Sequence, residues 1–391
     1  MTSGQFLETP LHQWHVDNGG RMVEFAGWSM PVQYASIVAE HHHTRTKLGL
    51  FDVSHMGRLF FSGHDVDQYL DALSTRRIVG VEPGKVRYSL ICNDDGTILD
   101  DVLIYHLAAG GSFAAGDEQS DSFYMMVCNA SNRAKINQWF ADHLPAQSNL
   151  QIDDRTESTA MIAVQGPEAN NVVASIASID PAALSYYCGT VCKVDGGDAI
   201  LSRTGYTGED GCEMIVHSAV AAAVWQKLHD AAKFIGGGAT GLAARDTLRL
   251  EAAMPLYGHE LSEEINAAQT ELRFAINLKG RSFAGRDAIA SAMAEKTLPV
   301  RVGIELEGRR PAREGCNIIA ADPTNQEVQE VQEVIGHLTS GSLSPTLGVP
   351  IAMGYIRPQY AVVGTELLID IRGKSVAAKV VELPFYKRKD H

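Results

Sequence analysis

Ile98-Leu99-Asp100-Asp101-Val102-Leu103-Ile104-Tyr105 sets two acids at the mouth of an apolar run of branched and aromatic residues. Such a run, bounded by Gly, Asp and Asn, reads as a β-strand. Neighbours in a strand face opposite sides, so only one of Asp100 and Asp101 can face a given cavity. A turn acid capping a hairpin is the other reading of the pair. Working outward, similar runs predict strands over 87–92, 101–107, 123–128, 161–164 and 213–216. Helical periodicity predicts helices over 36–47, 130–143, 219–234 and 244–254. The chain therefore reads as α+β with mixed or antiparallel sheets. Residues 108–121, rich in Ala, Gly and Ser, fit a long hairpin tip. Residues 320–334, with Glu327-Val328-Gln329 repeated as Glu330-Val331-Gln332, fit a solvated hairpin. After 292–299, Gly, Pro and short strands dominate, which predicts a small all-β C-terminal domain. The expected division is 1–292 and 297–391.

A chain of 391 residues suggests two to three domains. Apolar residues make up 45%, too many for a disordered chain. No apolar run approaches the roughly 20 residues that span a bilayer, so no membrane partner is expected. The net charge of −14 makes a poor phosphate-backbone binder, which argues against nucleic acid. The 6 cysteines form no C-x-x-C pair and point to a reducing, cytoplasmic setting. The first residues carry no recognisable targeting pattern.

Three tempting motifs fail. Gly236-Gly237-Gly238-Ala239-Thr240-Gly241 spells G-x-G-x-x-G, but a helical stretch precedes it where a dinucleotide site needs a strand. Gly373-Lys374-Ser375 lacks the first glycine of a P-loop, because position 368 is Leu. No nucleotide cofactor is expected. In Glu40-His41-His42-His43 adjacent helical residues point apart, so a solvated helix face is expected and no metal.

Two other segments carry more. Thr204-Gly205-Tyr206-Thr207-Gly208-Glu209-Asp210-Gly211-Cys212-Glu213 is a Gly-rich turn entering a strand. Glu209 and Asp210 fit an exposed turn. Glu213 lies among Cys212, Met214, Ile215 and Val216, so its carboxylate needs a partner or a ligand unless the strand is an edge facing solvent. On the helix 244–254, Arg245 and Arg249 are four apart and share a face. Two guanidinium groups there suit a carboxylate ligand. Asp246 and Glu251 could instead absorb them in ion pairs.

Taken together the chain resembles the aminomethyltransferase family, the T-protein of the glycine cleavage system. The resemblance runs from Thr9-Pro10-Leu11 through Phe25-Ala26-Gly27-Trp28-Ser29-Met30-Pro31 and Phe51-Asp52-Val53-Ser54-His55-Met56-Gly57. It continues in Asp100-Asp101, Val164-Gln165-Gly166-Pro167, the Thr204 turn, the Arg245 helix, Leu256-Tyr257-Gly258 and Thr339-Ser340-Gly341-Ser342-Leu343-Ser344-Pro345-Thr346-Leu347-Gly348. It implies two interleaved α+β subdomains and a C-terminal β-barrel-like domain around a central folate cavity. It implies Asp101 as the catalytic aspartate, Glu213 as the glutamate holding the pterin ring and Arg245 as the ligand-binding arginine. Met56, Tyr88, Asn129, Tyr187 and Tyr206 fall where relatives line the folate cavity. The activity implied is transfer of a one-carbon unit from aminomethyl-dihydrolipoyl H-protein to tetrahydrofolate, without metal, giving 5,10-methylenetetrahydrofolate, ammonia and dihydrolipoyl H-protein. The alternatives are a folate-dependent demethylase of the same superfamily and a non-catalytic folate-binding protein, whose K-G-C-Y-x-G-Q-E signature is missing here. Ala253 departs from the family's usual Gly, and Asn266-Ala267-Ala268 from its Asn-Pro.

Overall fold

The computed structural model describes residues 6–113, 121–321 and 333–388. The 98–105 segment lies inside the strand Ile98–Ala108, paired with Lys85–Cys92 and Ser122–Cys128. Their five-stranded sheet continues through Gly57–Ser62 to Gln151–Asp154. Asp100 sits opposite Ile91 and Asp101 opposite Leu90, so neither acid caps a turn. A second sheet of six strands runs in the order Gly189–Val194, Gly197–Ser202, Gly211–His217, Thr159–Gln165, Gly49–Asp52, Gly238–Ala239. Only its last pairing is parallel. The chain leaves this sheet after Gly49–Asp52, builds the five-stranded sheet and re-enters at Thr159–Gln165. That order interleaves two α+β subdomains.

Alternation decides what each strand face meets. Met161 and Ala163 pack with Ile200, Ile215, Phe60, Tyr105, Leu107 and Met125 in the core between the two sheets. Ala160, Ile162 and Val164 face the other way, onto the helix Ser218–Phe234. That helix presents Ala221, Val224, Trp225, Leu228 and Ala232, a stripe at helical spacing. Across the molecule Val102, Ile104 and Met126 pack under the helices Val66–Leu73 and Arg133–Asp142. The result is helix, sheet, sheet, helix. Thr159–Gln165 is buried along its whole length because both of its faces are covered. A one-residue slip in either inner strand would exchange its two faces, so the register is firmly set.

Six strands from Val300–Leu306 to Ser375–Val381 close into an antiparallel barrel with its own core of Ile304, Ile318, Leu338, Ile356 and Ile369. Closure leaves no open sheet edge. The helix Leu242–Glu251 carries the polar seam that joins the barrel to the rest. Arg249 pairs with Glu260 at 2.8 Å and reaches Ser340 at 2.8 Å, while Glu251 accepts from Ser344 and Thr346.

Several expectations are corrected. Glu40 and His41 are buried, so Glu40-His41-His42-His43 is no solvated face. His41 lies 3.2 Å from Glu251 and hydrogen-bonds Thr247 and Thr346, and Glu40 accepts from the Tyr34, Ala35 and Gly241 amides. Glu209 is also no exposed turn acid: its side chain is 5% accessible and pairs with Arg45 at 3.0 Å. Asp210 pairs with Arg203 at 2.5 Å. The last helix before the barrel, Arg286–Glu295, ends within the 292–299 stretch, and the first barrel strand begins at Val300. The strands on either side of 108–121 pair as a hairpin, but residues 114–120 of its tip lie outside the described residues. So does the Glu327–Gln332 repeat. The glycines of 236–241 serve packing: a Cβ on Gly237 would meet the Leu48 carbonyl at 2.4 Å, and one on Gly241 the Val32 carbonyl at 2.3 Å.

Ala253 has φ 55°, in the left-handed region that disfavours a Cβ. Ala253→Gly relieves that strain and loses part of the gain to unfolded-state entropy. The expected result is a rise in unfolding free energy of up to about 1 kcal/mol, read from denaturant curves. Ala267 makes use of its own departure, since its amide donates to the Gly96 carbonyl at 2.9 Å and a proline has no such N–H.

Candidate active site

Asp101 shares the inward face of its strand with Leu103 and Tyr105, and Glu213 shares the inward face of its strand with Ile215. Both carboxyls therefore point between the sheets. There they meet a cavity of about 1110 Å³. Its wall holds Met56, Tyr88, Asp101, Asn129, Tyr187, Tyr206, Glu213 and Arg245, the full set expected from the sequence. The barrel side contributes Arg301, Leu383 and Pro384. Drug-sized pockets run to roughly 1,000 Å³, so the space suits a large two-ended ligand.

Asp101 accepts from the Tyr88 hydroxyl at 2.9 Å and from Asn129 Nδ2 at 2.8 Å. Burial pushes its carboxyl up from the ordinary range, and these hydrogen bonds pull part of the way back. Asp100 faces the opposite side and does not line the cavity. It is completely buried and accepts from Asn129 N at 3.0 Å, Asn129 Nδ2 at 2.8 Å and Asn132 Nδ2 at 2.7 Å. Burial raises its carboxyl, and the hydrogen bonds from Asn132 and Asn129 oppose the rise.

Glu213 sits on a central strand, between Gly197–Ser202 and Thr159–Gln165, and is 5% exposed. The edge-strand reading fails. Thr204 donates to its Oε2 at 2.6 Å and is its single hydrogen-bond partner among the described residues. Burial raises its carboxyl, while Thr204 and the Arg245 charge oppose the rise. The two arginines divide the alternatives that the helix left open. Arg249 is consumed by Asp246, Glu260, Ser340 and the Met254 carbonyl. Arg245 has its guanidinium 4.7 Å from the Tyr206 ring centroid, and among the described residues its buried Nη1 has no hydrogen-bond partner. Glu251, the other acid offered to it, is taken by Arg45 and His41. An unpaired buried N–H is costly unless a ligand meets it.

The sequence reading passed over Asn132 and His55. Asn132 stands one helical turn beyond Asn129 in the 3₁₀ segment Ala130–Asn132, and that spacing was the available signal. His55 lines the cavity with its Nδ1 unpartnered among the described residues, and burial pushes its imidazole down to about 4. It is a neutral hydrogen-bonding group at pH 7. Sequence gave no sign of that, because its neighbours come from distant segments such as Phe25, 5.6 Å away between ring centroids.

The cavity thus brings carboxylate acceptors, tyrosines and a guanidinium unpartnered among the described residues together, as a binding site for a polar, partly aromatic ligand would. The chain matches the GCVT N-terminal domain over residues 11–280 and the glycine cleavage T-protein C-terminal barrel domain over 300–387. It belongs to the glycine cleavage T-protein, or aminomethyltransferase, family. An aminomethyltransferase of Saccharopolyspora erythraea is 40% identical over 382 residues, covering 97% of this chain and 98% of the relative. That of Rubrobacter xylanophilus is 41% identical, covering 99% and 96%. The crystal structure of glycine cleavage system aminomethyltransferase T from Bartonella henselae superposes with a TM-score of 0.86 at 29% identity, over 98% of this chain and 99% of that one.

Proposed function

We propose that this enzyme moves the one-carbon unit of an aminomethyl group, carried on the dihydrolipoyl arm of an H-protein, to tetrahydrofolate. The observation that carries the reading is the joint placement of Asp101, Glu213 and the unpartnered Arg245 Nη1 on one cavity. Glu213, with Thr204 on one oxygen only, is free to accept the adjacent N–H donors of a pterin edge. Arg245 suits the carboxylate end of a folate. Asp101, beside Tyr88 and Asn129, is placed for the reacting nitrogens.

The chemistry balances without electron transfer, because the carbon is already at the formaldehyde level. The carbon's bonds to sulfur and to the amine break, and two bonds to folate nitrogens form. The two protons those nitrogens release leave on ammonia and on the lipoyl thiol. A carboxyl at Asp101 can carry such a proton, a service worth roughly 10²–10⁴-fold. In this reading residues 1–292 form the folate-binding catalytic region and 297–391 the barrel-like domain. The setting is the cytoplasm, supported by six free cysteines. Among the described residues no helix is long and apolar enough to cross a membrane. No cluster of His, Cys, Asp and Glu among them could hold a metal.

The test is incubation with tetrahydrofolate and aminomethylated H-protein. The expected products are 5,10-methylenetetrahydrofolate and ammonia in equal amounts. If 5-methyltetrahydrofolate appears from a sulfonium substrate and no ammonia from the carrier, the demethylase reading takes over.

A further inference from the structure

We propose that Asp100 is a positioning residue: its hydrogen bonds keep the negative charge of the acid pair on itself, so that Asp101 presents the proton to the cavity. The role of that proton rests on the transferase reading; its location does not.

The two carboxyls are adjacent in the chain, Asp100 fully buried and Asp101 half-buried on the cavity wall, and among the described residues no Lys, Arg or His forms an ion pair with either. Two carboxylates so close in a poorly solvated site do not both ionise; the pair holds one proton and titrates as a unit. Which member holds it follows from the donors around them. Of the four carboxyl oxygens, three accept amide hydrogens. Asp100 Oδ1 takes Nδ2 of Asn129 and of Asn132, and Asp100 Oδ2 takes the Asn129 main-chain N–H. Asp101 Oδ1 shares Asn129 Nδ2. The fourth, Asp101 Oδ2, meets the Tyr88 hydroxyl at 2.9 Å, and a hydroxyl can donate or accept.

A proton on Asp100 would therefore point at N–H groups unless an amide turned over. Asn129 cannot turn, because its Nδ2 lies against three oxygens: Asp100 Oδ1, Asp101 Oδ1 and the Asp101 carbonyl. Asn132 would have to turn alone and surrender its 2.7 Å bond. A proton on Asp101 Oδ2 meets an oxygen that accepts it and a cavity that can receive it.

The other titratable groups facing the pair do not disturb this. Tyr88 on the adjoining strand, and Tyr187 and Tyr206 across the cavity, are all raised by burial and stay neutral. On the Asp100 side stand Cys128 and Tyr257, also raised by burial. Tyr257 is held by Lys135 at 2.8 Å, and Lys135 is itself paired with Glu263 at 2.6 Å.

In the transfer, the Asp101 Oδ2 proton passes to the departing amine nitrogen, which keeps the electron pair of the breaking C–N bond. A folate N–H proton restores Asp101 as the new C–N bond forms. Asp100 touches neither reactant. Its charge and its grip on Asn129 hold Asp101 neutral and oriented.

The experiment has two arms. In the first, protein labelled with ¹³C at aspartate carboxyls is titrated by NMR, with each carboxyl assigned through its bonds to the backbone. Where the pair carries one proton, the Asp101 carboxyl is expected at the protonated position and Asp100 at the ionised one. The reverse pattern overturns the proposal. In the second, the pH profile of turnover is compared between the wild type, Asp100→Asn and Asn132→Ala. The wild-type rate should fall as pH rises through the Asp101 titration. Either variant favours ionised Asp101, by removing the like charge or by letting Asp100 take the proton, so the alkaline limb should move at least about one unit to lower pH. Folded variants that lose turnover equally at all pH values, with no movement of the limb, would show a merely structural role and sink the idea. If Asp100→Asn does not fold, Asn132→Ala decides. If the NMR pattern holds but the wild type transfers nothing, the charge assignment stands and the transferase reading is what fails.

Discussion

Asp101→Asn is expected to leave tetrahydrofolate binding intact and to lower turnover at least about a hundredfold, the low end of what a positioned proton carrier contributes. The substitution keeps shape. The oxygen of the new amide can still accept from Asn129 Nδ2, and its nitrogen can donate to the Tyr88 hydroxyl, so the wall near 2.8–2.9 Å contacts survives. What goes is the exchangeable carboxyl proton. Turnover by stopped assay, beside calorimetric titration of folate, checks the split. Near-normal turnover in a variant that binds folate would remove Asp101 from the chemistry.

Glu213→Ala should weaken tetrahydrofolate binding by about 10- to 150-fold, because a hydrogen bond to a charged group is worth about 1.5–3 kcal/mol. The carboxyl is 5% exposed and Thr204 is its single hydrogen-bond partner among the described residues, so little of its loss can be made good by water. Glu209 is a poor comparison, being half of a buried pair with Arg45. Exposed Glu264 serves instead, and Glu264→Ala should leave affinity unchanged. Unfolding curves run beside the titrations separate a binding loss from a folding loss. Unaltered affinity in folded Glu213→Ala would send the search for the pterin contact elsewhere.

Much of this was legible in the sequence wherever alternation speaks. Period-two reasoning placed Asp101 and Asp100 on opposite faces, and the apolar neighbours of Glu213 set a buried carboxylate against an edge-strand one, which the central position of its strand decides. The strands around 87–92, 123–128 and 161–164 emerged within a few residues of their true ends because each is rich in aliphatic, aromatic and Met residues. What escaped was decided by partners distant in the chain. Glu209 looked wet because its turn is Gly-rich, yet Arg45, 164 residues away, covers it. His41 looked solvated because its own helix is polar, yet Thr346 from the barrel loop closes over it. Asp100 looked idle because it turns from the cavity. Its importance lies in amide donors at 129 and 132, whose spacing marks them as neighbours of each other but does not tie them to the strand of Asp100.

The two acid-bearing strands belong to different sheets, and the barrel supplies a third side of the hole. A substrate seated there touches all three at once and acts as a thermodynamic rivet. Anything bound to the folded state alone adds RT ln(1 + [L]/Kd) to stability, about 2.7 kcal/mol at a hundredfold excess over Kd. Here that increment does not belong to one subdomain. Parting the sheets or lifting the barrel breaks the same contacts, so the occupied enzyme should melt as a single cooperative body even where the empty one opens in stages.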